Sequence, residues 1–130
     1  MTKTAVVFGA ETEGNGKGVA ERLRHDGWRV VGLAHKDALS NPVVSDNGSV
    51  TVDMANLQAL RDACGTLAQY RPDAVVFADM FFAIENLSDF DHDLWKKSLY
   101  INLTAPNVLF RELAPAMPDG SAFVIVTSTE

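Results

Sequence analysis

The sequence predicts an α/β fold, a doubly wound parallel sheet of about five strands in the order 3-2-1-4-5. Three observations predict it. Short, continuously apolar runs alternate with stretches of helical periodicity, as in a parallel sheet buried on both faces by helices. The first apolar run leads directly into a glycine-rich turn and then a helix. The runs are separated by clusters of Gly, Pro, Asn, Asp and Ser, which are turn formers. Right-handed crossovers between such strands generate the stated order, and ligands of such sheets bind beyond the carboxyl ends of the strands, at the switch point between strands 1 and 4.

The elements follow in order. Thr4 to Gly9 is a buried strand, and Gly9 to Gly16 is the turn. Val19, Ala20, Leu23 and Arg24 recur at helical spacing, with Gly27 as a stop. Arg29 to Ala34 is the second strand, and residues 35 to 49 are polar and turn-rich, hence a loop. Ser49 to Val52 is a short third strand. Leu57, Leu60, Cys64, Leu67 and Ala68 form the apolar stripe of a helix expected over Met54 to Tyr70. Ala74 to Ala78 is the fourth strand. A helix starts near Asp91 and runs from Leu94 to about Ala114, with Pro106 inside it as a kink. Ala122 to Thr127 is the fifth strand, an unprotected apolar edge that invites self-association.

The 130 residues suffice for one domain with a core, and 47% hydrophobic and 22% charged residues are ordinary for a soluble protein. A formal net charge of -6 argues against a nucleic-acid binder. The single cysteine, Cys64, excludes an intrachain disulfide and reads as a buried helical thiol. The run Ala5 to Ala10 is too short for a membrane span, so a cytoplasmic location is the default. His25 and His92 lack metal-ligand spacing, and Phe81 and Phe82 read as core or as the mouth of a substrate site.

The chemistry concentrates in the turn Gly9-Ala10-Glu11-Thr12-Glu13-Gly14-Asn15-Gly16. Between a strand and a helix, glycines permit a tight turn and let backbone amides approach a pyrophosphate, while the helix N-terminus adds partial positive charge. A plain surface turn is the alternative.

This turn resembles the Thr-Gly-x-x-x-Gly-x-Gly motif of short-chain dehydrogenases/reductases. Gly14 and Gly16 take the last two glycine positions, Ala10 replaces the first, and Gly9 stands where threonine is usual. A loop one residue longer, starting at Gly9, is the other register. Gly18 to Val31 is similar to the family's first helix and second strand. The resemblance implies a Rossmann-like fold, a nicotinamide dinucleotide, and a small carbonyl or alcohol substrate. Gly9, Ala10, Gly14, Asn15 and Gly16 are the implied phosphate-loop residues.

The end of the second strand bears on the cofactor. An acid there grips a ribose 2′-hydroxyl and favours NAD. Ala34 stands in that place, followed by His35 and Lys36, a pattern that fits the 2′-phosphate of NADP. Asp37 is still able to reach a ribose, which leaves NAD open, and a solvated loop is the bland reading. Asp53 matches the family's aspartate at the adenine edge and doubles as a helix N-cap candidate. After the fourth strand the family carries Asn-Asn-Ala-Gly, whereas this chain has Phe77-Ala78-Asp79-Met80, with the backbone at Ala78 on the cofactor side. Asn102 matches the asparagine that anchors a proton-relay water, with a structural hydrogen-bonding role as the alternative. Ser128 matches the catalytic serine, with Thr127 as its substitute.

The family's Tyr-x-x-x-Lys dyad does not occur: Tyr70 is followed at that spacing by Ala74, and Tyr100 by Thr104. The resemblance therefore implies the cofactor-binding half of an oxidoreductase, as a fragment or a degenerate member, and a homo-oligomer. A non-catalytic dinucleotide-binding or interaction module is the rival, and a flavin-binding flavodoxin-like domain a weaker one, since Glu11-Thr12-Glu13 is poor for a flavin phosphate.

Overall fold

The computed structural model describes residues 2–82 and 88–127. Six strands form one sheet in the order β3-β4-β2-β1-β5-β6. β1 (Thr4–Phe8), β2 (Arg29–His35), β4 (Val50–Val52), β5 (Ala74–Phe77) and β6 (Ala122–Ile125) are parallel and reproduce the five expected strands in the expected order. The addition is β3 (Val43–Val44), antiparallel to β4 with Val43 opposite Thr51. It is the β-branched pair of a polar loop, and a turn at Ser45 to Ser49, where Gly48 takes φ +86°, folds it back.

Side chains alternate across the central strands, as the pleat requires. Val6, Phe8, Val31, Leu33, Val75 and Phe77 face one core, shared with α2 (Leu57–Ala68) and α4 (Ala105–Leu113). Ala5, Val7, Ala74 and Val76 face the other, against α1 (Asn15–His25). Within α2 the buried set is Ala59, Leu60, Ala63, Cys64 and Leu67; within α4 it includes Ala105, Leu109 and Leu113 at four-residue spacing. Each fully buried Val, Leu or Phe contributes about 1.5–3 kcal/mol relative to exposure. Burial, with Glu112 nearby, pushes the Cys64 thiol up to about 12, so it packs as an inert apolar group.

Two local expectations change. The second helix starts at Leu57, not Met54, because Asn56 is its cap and accepts from the Ala59 amide at 3.1 Å. Asp53 instead closes the preceding turn, accepting from the Ala55 amide at 3.0 Å. Pro106 does not simply kink its helix. α3 (His92–Leu99) passes into a π turn (Tyr100–Thr104) and then α4, and the wider turn accommodates the missing proline N–H. Asp91 caps α3, accepting from the amides of Asp93 and Leu94. β6 is an exposed edge, with Val124 and Ile125 each nearly half exposed. Among the described residues no helix is long and apolar enough to cross a membrane.

Candidate functional site

The glycine turn lies where β1 ends, between β2 and β5, at the switch point of the sheet. Gly9 takes φ +93° and Gly14 φ +120°, conformations that suit glycine and strain other residues. Gly9 is held by its amide on the Leu33 carbonyl and by its carbonyl on the Thr12 amide, both at 3.0 Å. A Cβ built on Gly16 falls 2.6 Å from the carbonyl carbon of Gly9 and closer still to its oxygen, so α1 packs onto the strand end through bare backbone. Gly14 faces open space on its Cβ side.

The amides of Asn15, Gly16 and Lys17 precede the first intrahelical bond of α1, which Gly18 makes to Gly14. No side chain caps them, and the first turn holds no acid. The acids of the turn are engaged elsewhere: Glu13 pairs with Lys17 at 2.7 Å and Glu11 with Arg24 at 3.6 Å. Ala10 is buried in the α1-side core and serves packing as well as the loop.

At the end of β2, His35 Nδ1 accepts from the Met54 amide at 2.9 Å, so the neutral ring carries its proton on Nε2 and donates it to Asp37 at 2.6 Å. Lys97, on α3, donates to the other Asp37 oxygen at 2.7 Å and lies 4.6 Å from the Phe81 ring centroid. These two donors, Lys97 first, hold the Asp37 carboxyl below its usual range. Lys36 is exposed at the same rim. Asp53, largely covered, accepts from the amides of Ala38 and Ala55.

Past β5, the Ala78 amide continues the ladder to the Phe8 carbonyl at 3.1 Å. Asp79 packs against Gly9: a Cβ built there would fall 2.7 Å from Asp79 Cβ. Its carboxylate accepts from the Met80 amide at 2.8 Å and weakly from Thr12 Oγ1 at 3.4 Å. Asn102 clamps the next residue at both ends, accepting from the Phe81 amide and donating to the Phe81 carbonyl, each at 2.8 Å. Ser128 lies outside the described residues.

A crevice of about 170 Å³ opens between these parts, lined by Phe8, Thr12, Ala34, His35, Asp79, Met80, Phe81 and Ile101. A smaller one of about 110 Å³ adjoins it, between Gly9 to Thr12 and the ends of β2 and β4. Of the residues expected from the sequence, His35 lines the first crevice and Gly9 and Ala10 the second, while Gly14, Asn15, Gly16, Lys36, Asp53 and Ala78 line neither. The larger groove, about 600 Å³, lies apart, between α4 and β6, and includes Asn102, Phe110, Phe123 and Thr127. Sequence reasoning missed Thr12 and Lys97. No local signal joins Asp37 to Lys97 across 60 positions.

No protein-family model matches the chain. It is 32% identical over 114 residues to the 2-dehydro-3-deoxy-D-gluconate 5-dehydrogenase of Bacillus subtilis, a match that takes in 82% of this chain and 44% of that protein. A short-chain dehydrogenase from Burkholderia cenocepacia, solved in complex with NADP, superposes with a TM-score of 0.78 at 22% identity, over 98% of this chain and 56% of the other. A blue fluorescent protein from a metagenomic library, solved with NADPH, gives 0.76 at 22% identity, over 98% and 56%. The short-chain dehydrogenase/reductase of Serratia marcescens gives 0.74 at 22%, over 98% and 58%. The chain therefore spans about half the length of the proteins it matches. In fold the chain matches short-chain dehydrogenases/reductases, and in sequence it resembles a curated dehydrogenase, over about half the length of each, as an N-terminal portion of such proteins would.

Proposed function

We propose that this chain supplies the dinucleotide-binding half of a cytoplasmic oxidoreductase that moves hydride between NADP(H) and a small carbonyl or alcohol substrate, with NAD(H) as the alternative cofactor. One observation carries the reading: Gly16 sits on the Gly9 backbone, which brings the uncapped amides of Asn15, Gly16 and Lys17 to the switch point of the sheet. The residues present fit a pyrophosphate there. Gly14 leaves its approach open, and the turn's two glutamates are already paired. Two proteins of the same fold were solved with NADP and NADPH.

A bound nicotinamide dinucleotide supplies or accepts the hydride. The chain's residues bind and orient it. The α1 amides would hold the pyrophosphate, Lys36 beside His35 the ribose phosphate, Asp53 the adenine edge, and the backbone at Ala78 the nicotinamide ribose. Asn102 keeps the Phe81 segment in place beside it. Ser128 is assigned the hydroxyl that hydrogen-bonds the substrate carbonyl. Exposed apolar side chains on α3, α4 and β6 support a homo-oligomer.

A second reading, a dinucleotide-binding or interaction module without turnover, is favoured by Asp79, whose carboxylate stands beside Gly9 in a crevice meant for an anionic ligand. Calorimetric titration of the folded chain with NADPH and then NADH tests the cofactor. Micromolar binding of NADPH, weaker for NADH, is the expected result, and failure of both to bind overturns the reading. NADPH consumption by the full gene product with a panel of carbonyl compounds then separates the two: turnover supports the first, binding without turnover the second.

A further inference from the structure

We propose that Asp37 and Lys97 together set the choice between a ribose hydroxyl and a ribose phosphate at this crevice: Asp37 serves as an internal counter-ion for Lys97, and an incoming phosphate takes its place. The proposal rests on the dinucleotide-binding reading and adds residues that no motif marks.

The geometry separates the cations at the rim. His35, neutral while its Nδ1 accepts from the Met54 amide, brings no charge. Lys97 is the covered cation there, its side chain 28% exposed against 63% for Asp37. It is also held from a second side. Its ammonium sits over Phe81, and Phe81 is pinned by both hydrogen bonds of Asn102. Lys97 therefore stays in place when Asp37 swings into water, a preorganised partner for an anion. The nearby acid Asp53 is committed to the amides of Ala38 and Ala55.

The two cofactors meet this pair differently. A ribose diol carries no charge that competes with Asp37, so the pair stays closed. A 2′-phosphate that bonds Lys97 competes with Asp37 for its charge and meets the repulsion of the carboxylate meanwhile. Asp37 thus weakens binding of the phosphorylated dinucleotide, and Lys97 strengthens it.

The test is calorimetric binding of NADPH and NADH to the wild type, Asp37→Asn, Lys97→Met and Lys97→Arg, with circular dichroism confirming the fold. Asp37→Asn is expected to raise the preference for NADPH over NADH about fivefold, the upper range for an exposed pair. Lys97→Met lowers it about tenfold by loss of a charged hydrogen bond, and Lys97→Arg keeps it within about twofold. A preference unchanged by both neutralising substitutions, or shifted by them in the same direction, overturns the proposal while leaving dinucleotide binding intact. A folded wild type that binds neither dinucleotide removes the underlying reading and this proposal with it.

Discussion

Replacing Gly16 by alanine tests the close approach on which the phosphate loop depends. The added methyl would meet the carbonyl carbon of Gly9 at 2.6 Å, with the oxygen nearer and the α-carbon at 3.0 Å. All three are backbone atoms of a residue tied to Leu33 and Thr12 and continuous with the fully buried end of β1. Restoring van der Waals separation requires α1 to shift by roughly 1 Å. Overpacking against a rigid neighbour costs about 1–3 kcal/mol or more, against a helix-propensity gain of about 1 kcal/mol. The net expectation is a loss of roughly 1–2 kcal/mol, or about 3–8 °C in Tm, together with loss of NADPH binding. Gly18→Ala is the matched control. It lies in the same helix with nothing within 4 Å of its built Cβ, and should be neutral or gain up to about 1 kcal/mol. Urea denaturation of the three proteins checks both. Equal stability of Gly16→Ala and Gly18→Ala would refute the close approach.

Asn102→Ala should cost about 2–4 kcal/mol, because it orphans both backbone groups of half-buried Phe81; Asn102→Asp keeps the acceptor but sets a carboxylate against the Phe81 carbonyl and should fare no better. A change below about 0.5 kcal/mol in urea melts would show that the clamp is not formed. Cys64 gives a pH signature. Its thiol ionises near its ordinary value of 9.0 in the unfolded chain but only at about 12 when folded, so stability is unaffected below pH 9 and falls as pH rises from 9 towards 12. The urea midpoint of the wild type should therefore drop more than that of Cys64→Ala between pH 8 and pH 10.5, and parallel curves would contradict the burial. Leu103 and Phe110 are both more than half exposed, so Leu103→Glu with Phe110→Glu should shift the sedimentation coefficient of an oligomer to that of a monomer; an unchanged coefficient would place the contact elsewhere.

What was legible in the sequence was whatever the backbone or the core decides locally. The buried strands announce themselves because residues such as Val6-Val7-Phe8 are covered on both faces, so every side chain is apolar. Gly9, Gly14 and Gly16 are legible for a related reason: two need a left-handed backbone and one needs no side chain. β3 was illegible because two residues carry no periodicity, and the π turn because its cause, Pro106, lies beyond the turn it widens. The start of α2 is ambiguous in the sequence because Asp53 and Asn56 are both good caps, and only the fold shows that Asp53 is spent on Ala38 and Ala55. The Asp37–Lys97 pair has no sequence signal, since it depends on where the loop after β2 meets the distant helix α3.

This division has an energetic consequence for the crevice. Its proposed phosphate side rests on buried backbone at Gly9 and Gly16, so a change at Gly16 should cost stability and binding together. Its proposed ribose side carries a half-covered lysine paired to an exposed aspartate, and ion pairs open to solvent contribute little to folding. Asp37→Asn and Lys97→Met should each leave stability within about 0.5 kcal/mol of the wild type while moving cofactor preference in opposite directions. The same argument applies to Glu13 and Lys17, whose pair is exposed and sits beside the uncapped α1 amides. Glu13→Gln removes a negative charge near an expected pyrophosphate at little cost to the fold, so affinity for NADPH and NADH should rise by the same factor. If it rose for NADPH alone, Glu13 would belong to the ribose side, and the phosphate loop would have been placed in the wrong register.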